Sequence, residues 1–328
     1  MGMKIRLALV KVILQGFGLQ VPLEASDRNL FLGAPPHTAK PPSTGASTLV
    51  LRLSNPQAMG LNQNRVQNEV AAMSIARAGL RTYQSGLEVL VPAIYAWKAT
   101  SSSEGTPGLV WILMEYKSGV SLDEHFPSLC TTKKKGVLEQ IADVIVGIER
   151  SQLPLEVNQF GGLTIDNKGS IISGEMTIVK GGGPWKTYEA WWQDRLQDQL
   201  KGADKSPVIE GWRPDGDLRQ HLEEFIAHGL SSVLTRAGFD SSKRVLIHGD
   251  FTMNNMLVDP DTDQLTAVLD FDFSYIAPPP AHLFFTSLQS LGTGTDPTGG
   301  KLTKTLLTGT FEDISDMSEK GNSIWWQA

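Results

Sequence analysis

Asp250, Asn255 and Asp270 are the residues whose types and spacing could do chemistry together. Asp250 ends the run His248-Gly249-Asp250, Asn255 lies five positions on, and Asp270 follows the apolar segment Leu265–Leu269. Phosphoryl transfer asks a protein for a carboxylate, an amide oxygen and a second carboxylate. One carboxylate receives the proton of the attacking hydroxyl, while the amide oxygen and the other carboxylate hold Mg²⁺ on the nucleotide phosphates. On this layout Asp250 is the catalytic base, and Asn255 and Asp270 are the metal ligands. Asn254 falls one position short of the spacing and points elsewhere. The bland alternative is a structural Asp250, since Asp after Gly is common in turns.

The elements around these residues suit the task. Val245–Ile247 is a short apolar strand that delivers His248-Gly249-Asp250 into a turn. Met256–Val258 and Leu265–Leu269 are apolar strands on either side of Asp259-Pro260-Asp261-Thr262-Asp263, whose Asp and Pro residues pre-set a reversal. The loop bearing Asp250 and Asn255 is therefore followed by a hairpin that returns with Asp270.

The pattern H-G-D-x-x-x-x-N, an apolar strand, and then Leu269-Asp270-Phe271-Asp272 resembles the catalytic and metal-binding segments of aminoglycoside phosphotransferases and choline-kinase-like enzymes. These are small-molecule relatives of protein kinases, with His-Gly-Asp where protein kinases have His-Arg-Asp. The resemblance implies an α+β, bilobal protein-kinase-like fold. Residues 1–117 would form a small N-terminal antiparallel-sheet lobe that binds nucleotide, and residues 118–328 a larger, mainly helical C-terminal lobe with the catalytic and acceptor sites. It implies ATP and Mg²⁺ as cofactors and a hydroxylated small molecule as acceptor.

Ser47–Ser54 alternates apolar and polar residues like a strand. In the family the matching strand carries a lysine that touches the nucleotide phosphates; here Arg52 takes that position, with a planar fork instead of a compact ammonium. In the helical run Asn64–Ala78, Val66, Val70, Met73 and Ala76 recur at three- and four-residue steps, and Glu69 is placed to pair with Arg52. Arg52 and Glu69 thus join Asn255 and Asp270 as cofactor-binding residues. Asp272 reads either as a further metal-side carboxylate or as a partner for a nearby backbone group. His248 reads as a residue that orients the loop by hydrogen bonding.

Elsewhere, Val89–Trp97 and Gly108–Tyr116 read as strands, with Met114 and Tyr116 as packing residues and Glu115–Gly119 as the exit from the first lobe. Lys133–Arg150 and Asp217–Ala237 read as helices, and Phe160–Ile172 as a hairpin reversing at Asp166–Gly169. Gly181–Trp185 is not a phosphate loop, because no Gly-Lys-Ser/Thr follows. Thr187 is placed to cap a helix whose aromatic residues Tyr188, Trp191 and Trp192, with Trp185 before it, read as packing, or alternatively as an acceptor pocket. A polar turn at Ala25–Asn29 lies where the family has its phosphate-covering loop, but without G-x-G-x-x-G it reads equally well as an ordinary hairpin turn. Lys4–Leu14 reads as a strand or buried segment.

The bulk numbers exclude several classes. The chain has 328 residues, 41% hydrophobic and 20% charged, which is ordinary for a soluble globular protein. A net charge of −6, with no basic stripe beyond Lys133–Lys135, argues against a nucleic-acid binder. The single cysteine, Cys130, rules out an intrachain disulfide and fits a reducing compartment. No apolar run reaches the roughly 18 residues of a membrane span, so a cytoplasmic protein with no membrane partner is expected. Pro278–Pro280 comes soon after Asp270, which leaves no long activation segment and argues against a protein kinase. Arg52, the absent glycine-rich loop and the early end at Ala328 keep a second expectation open: a non-catalytic, kinase-like nucleotide-binding module in a shortened chain.

Overall fold

Alternation in the first strand and continuous apolar character in the third produce a small sheet. The computed structural model describes residues 35–40, 48–53, 64–99, 110–177, 182–206, 217–236 and 242–279. The expected turn at Ala25–Asn29 and the segment Lys4–Leu14 lie outside them. Strand β1 (Leu49–Leu53) pairs antiparallel with β3 (Trp111–Glu115), which pairs on its other side with β2 (Ile94–Lys98). The run in β3 marks a central strand covered on both faces, and Trp111, Ile112, Leu113 and Met114 are buried.

Two expectations fail in this part. Leu87–Leu90 is a 3₁₀ turn and not the start of a strand. A short apolar run carries no periodicity that separates a strand from a buried helical turn. Tyr116 is 51% exposed, because it lies just beyond the end of β3 where the sheet no longer covers it.

Helix α1 (Arg65–Tyr83) is the central element. The expected stripe of Val66, Val70, Met73 and Ala76 is buried, but so are Asn68, Glu69, Ala71, Ala72 and Ile75. The helix is enclosed on most sides and not along one stripe alone. Two elements that cover it are α3 (Thr131–Glu149) and the hairpin of β5 (Gly162–Ile165) with β6 (Ile171–Gly174). A Cβ at Gly79 would lie 2.7 Å from the Gly147 carbonyl oxygen, so glycine lets α1 and α3 meet closely.

The stretch bearing Asp250, Asn255 and Asp270 is built from two small sheets. Strand β4 (Val120–Ser121) leads into the one-turn helix α2 (Leu122–His125) and pairs with β8 (Met256–Val258), which pairs with β9 (Leu265–Val268). Strand β7 (Val245–Ile247) pairs with β10 (Tyr275–Ala277). The reversal between β8 and β9 is set by Asp259 Oδ1, which accepts the amides of Asp261 at 2.9 Å and Thr262 at 3.1 Å.

A second, smaller core forms around helix α4 (Tyr188–Lys205). Thr187 Oγ1 accepts the Ala190 amide at 3.1 Å and caps it as expected. Ring centroids of Tyr188 and Trp191 are 4.7 Å apart, and those of Trp191 and Tyr275 are 5.6 Å apart, so the aromatic stripe packs α4 onto β10. Beyond it, α5 (Leu218–Glu224) and α6 (Leu230–Arg236) are joined by a π-helical segment, Phe225–Gly229, where one regular helix was expected. Cys130 is exposed. No described helix is long and apolar enough to cross a membrane. Small antiparallel sheets combined with helices make this an α+β fold.

Candidate active site

Buried Leu246 and Ile247 carry the chain to His248, whose ring is enclosed. His248 Nε2 lies 2.9 Å from the Leu269 carbonyl oxygen, and Nδ1 lies 3.3 Å from the Asp250 amide. Those two contacts are donated and accepted, respectively, by a neutral imidazole. Burial pushes its pKa down to about 4 and so keeps it neutral. His248 thereby ties the Asp250 loop to the strand end that carries Asp270. Gly249 has φ +82°, and a Cβ there would come within 2.7 Å of the Phe273 carbonyl carbon and overlap its oxygen. Only glycine fits the turn.

Asn255 Nδ2 donates to Asp250 Oδ2 at 2.8 Å and to the Asp250 carbonyl oxygen at 2.9 Å. The amide nitrogen is committed, which leaves Oδ1 as the atom able to ligate a cation. The Leu269 amide donates to the Asn255 carbonyl oxygen at 2.8 Å, a second tie between loop and hairpin. Asn254 turns away toward Asp123 on α2, where its amide, turned nitrogen-first, donates to Asp123 Oδ2 at 3.0 Å. Asp270 has φ 66° and ψ 56°, a left-handed conformation uncommon outside glycine, and opens a 3₁₀ turn over Phe271–Phe273.

Arg52 reaches three carboxylates. Its Nη1 donates to Glu69 Oε1 at 2.5 Å, the pairing expected between strand and helix. Its Nη2 lies 2.8 Å from both Asp270 Oδ1 and Asp272 Oδ2, the former an ion contact without an aligned N–H. Asp272 is fully buried, and its carboxylate is the ion partner of Arg52 and Arg65. Arg65 Nε donates to Asp272 Oδ2 at 2.7 Å, and Arg65 Nη2 contacts the same oxygen. The Asp272 carbonyl oxygen accepts from Thr177 Oγ1 at 2.7 Å and Asn68 Nδ2 at 3.2 Å; Asn68 Nδ2 also bonds the Ser274 carbonyl oxygen at 2.9 Å.

Arg65, Asn68 and Glu69 are three and four residues apart, hence neighbours on one face of α1. Neither Arg65 nor Asn68 is marked by the spacing that singles out Asp250, Asn255 and Asp270. A usable signal existed for Arg65, since a cation in the first turn of a helix opposes the macrodipole and calls for a fixed acid.

Charge in the cluster is unbalanced, with three carboxylates against two guanidiniums. Burial pushes the Glu69 carboxyl up to about 7, against the pull of Arg52. Burial and the neighbouring Asp270 raise Asp272 as well. Burial lowers Arg52, but Glu69, Asp270 and Asp272 together lift it above its ordinary value. The all-oxygen donors suit a hard cation. Asp272 Oδ1 is buried and accepts no hydrogen bond among the described residues. No three or more His, Cys, Asp or Glu side chains among them form a ready-made metal cage. Mg²⁺ needs no such cage, since one or two protein oxygens suffice when water and phosphate complete its shell.

The model of the phosphotransferase enzyme family (APH) matches residues 20–296. The chain belongs to this family. Solved structures similar to this APH-family chain are aminoglycoside phosphotransferases. A thermostable mutant of APH(4)-Ia in ternary complex with AMP-PNP and hygromycin B is 16% identical, over 85% of this chain and 86% of that one, with a TM-score of 0.39. APH(3'')-Id from Streptomyces rimosus is 15% identical, over 86% and 85%, at 0.40. The streptomycin–ATP complex of APH(2")-IIa is 16% identical, over 85% and 76%, at 0.46. Subtelomeric hrmA-associated cluster proteins from two strains of Aspergillus fumigatus are 29% identical over 133 residues, 40% of this chain. The matched part spans 24% of the length of those proteins.

Proposed function

We propose that the protein transfers the γ-phosphoryl group of ATP to a hydroxyl of a small molecule, with Asp250 as base. The observation that carries this reading is the Asn255–Asp250 pair. One amide nitrogen fixes the carboxylate, and the same side chain keeps an oxygen for the metal. Asp250 then orients the acceptor hydroxyl and receives its proton, so that much of the rate comes from positioning. Asn255 Oδ1 and the Asp270 carboxylate would hold Mg²⁺, with Glu69 steadying Arg52 for the nucleotide phosphates. Bound there, the metal would offset negative charge on the phosphates. Residues 1–117 would form the nucleotide-binding part and 118–328 the catalytic and acceptor part, with the irregular segment between β3 and β4 beside the adenine.

A second reading, nucleotide binding without transfer, is favoured by one observation: Arg52 Nη2 rests 2.8 Å from Asp270 Oδ1, on a carboxylate the metal needs. Labelled ATP with a panel of hydroxylated small molecules separates the two. Asp250→Asn should abolish transfer while Mg²⁺–ATP binding persists; unchanged transfer would remove Asp250 from the base role. Binding without transfer to any acceptor would favour the second reading.

A further inference from the structure

Asp272 is held twice, by two arginines that behave differently. Arg52 divides its guanidinium among Glu69, Asp270 and Asp272. Among the described residues, Arg65 Nε and Nη2 both meet Asp272 Oδ2, and its guanidinium carbon lies 5.9 Å from the Phe273 ring centroid. The turn is the one that Asp270 opens. Its backbone is anchored separately, through the Asp272 carbonyl on Asn68 and Thr177.

To serve a nucleotide, Arg52 must aim N–H groups at phosphate, and Asp270 must give up Arg52 for the metal. If Arg52 were the sole cation on Asp272, that exchange would strand a buried carboxylate, which is costly. Arg65 removes the penalty, because Asp272 stays paired whichever way Arg52 points.

We infer that Arg65 is a positioning residue for the transfer reaction: it keeps Asp272, and the turn carrying Asp270, in place when Arg52 leaves the carboxylates for the phosphates. This rests on reading the site as one for Mg²⁺ and ATP. In that role Arg65 acts on the metal's ligand and not on the reacting atoms.

The test is ATP binding by calorimetry over a series of MgCl₂ concentrations, with melting temperatures in the same buffers, using the full chain. Arg65→Gln should raise the Mg²⁺ concentration for half-maximal ATP binding by roughly 10- to 100-fold, the range for residues that orient a metal ligand. Arg65→Lys, which keeps a charge on Asp272, should recover part of the shift. A lower melting temperature with unchanged Mg²⁺ dependence would overturn the inference, and so would a Lys variant as impaired as Gln. The double variant Arg65→Gln/Asp272→Asn covers the case where Arg65→Gln does not fold. With no charge left to strand, it should return close to the Mg²⁺ dependence of the unsubstituted protein; a double variant shifted by tenfold or more overturns the inference. Mg²⁺-dependent binding with no transfer to any acceptor would count against the functional reading alone. Transfer by the unsubstituted protein, with Arg65→Gln unaltered in Mg²⁺ dependence, would sink this inference alone. Absence of Mg²⁺-dependent ATP binding in the unsubstituted protein sinks both.

Discussion

Asn255 Nδ2 lies 2.8 Å from Asp250 Oδ2 and 2.9 Å from the Asp250 carbonyl oxygen, so one nitrogen fixes both the side chain and the backbone of the same residue. The arrangement makes the carboxylate stationary before any substrate arrives. Preorganisation of this kind lowers the cost of reaching the reactive geometry.

Asn255→Ala removes that restraint and the oxygen offered to the metal. The turnover number should fall roughly 10²- to 10⁴-fold, the usual worth of a positioned base. Stability should drop by only about 1–2 kcal/mol, for lost hydrogen bonds. Steady-state kinetics and urea unfolding give the two numbers. A variant within tenfold of the original turnover would show that Asp250 needs no such restraint.

Gly249→Ala forces a methyl into the Phe273 carbonyl at a backbone φ of +82°. Left-handed strain costs on the order of 1–3 kcal/mol before any clash is counted. A total loss of about 3 kcal/mol or more is expected from urea unfolding. A loss below about 1 kcal/mol would mean that the loop yields easily.

His248 and Glu69 should impose opposite pH dependences. The His248 ring has its pKa lowered from 6.5 to about 4, so its contribution is complete above 6.5 and is lost as pH falls through 4. Glu69 is raised from 4.5 to about 7, so its contribution is complete below 4.5 and is lost as pH rises through 7. The two slopes offset each other in the unsubstituted protein. The informative quantity is therefore the stability difference from His248→Gln, which should shrink by on the order of 3 kcal/mol between neutral pH and pH about 4. A difference that stays constant with pH would contradict a neutral buried ring.

Arg52→Gln withdraws the cation shared by three carboxylates. A loss of about 2–3 kcal/mol is expected, at or below the low end of the roughly 3–5 kcal/mol for a broken buried pair, because Arg52 is 31% exposed. The loss should be larger near pH 8 than near pH 6, since Glu69, with its pKa pushed to about 7, takes up a proton on the acid side. Equal losses at both pH values would argue that Glu69 titrates at the ordinary carboxylate value.

Local spacing made the loop legible in advance. His248-Gly249-Asp250 and Asn255 lie within one turn and its exit, so their proximity is nearly forced by the chain itself, and Asp270 returns on the adjoining hairpin. The Arg52–Glu69 pair was legible through the order of strand and helix that the family resemblance supplied. Arg65 and Asn68 were not, because their importance depends on what lies across from α1, and the Asp272 turn is about two hundred residues away in sequence. Asp272 was ambiguous for the same reason. Val89 and Leu90 read as strand because a few apolar residues fit either a strand or a buried turn. The π-helical segment at Phe225–Gly229 left the apolar pattern of the helix almost unchanged and so had no visible mark.

Helix α1 holds Arg52 through Glu69, Asp272 through Arg65, and the backbone of the Asp272 turn through Asn68. Successive helical residues are about 100° apart around the axis. Rolling the helix by a single position would break all these grips at one stroke, without touching the Asn255–Asp250 pair. One helix thus acts as a single cam for the Arg52–Asp272 cluster, while the Asp250 carboxylate is latched separately.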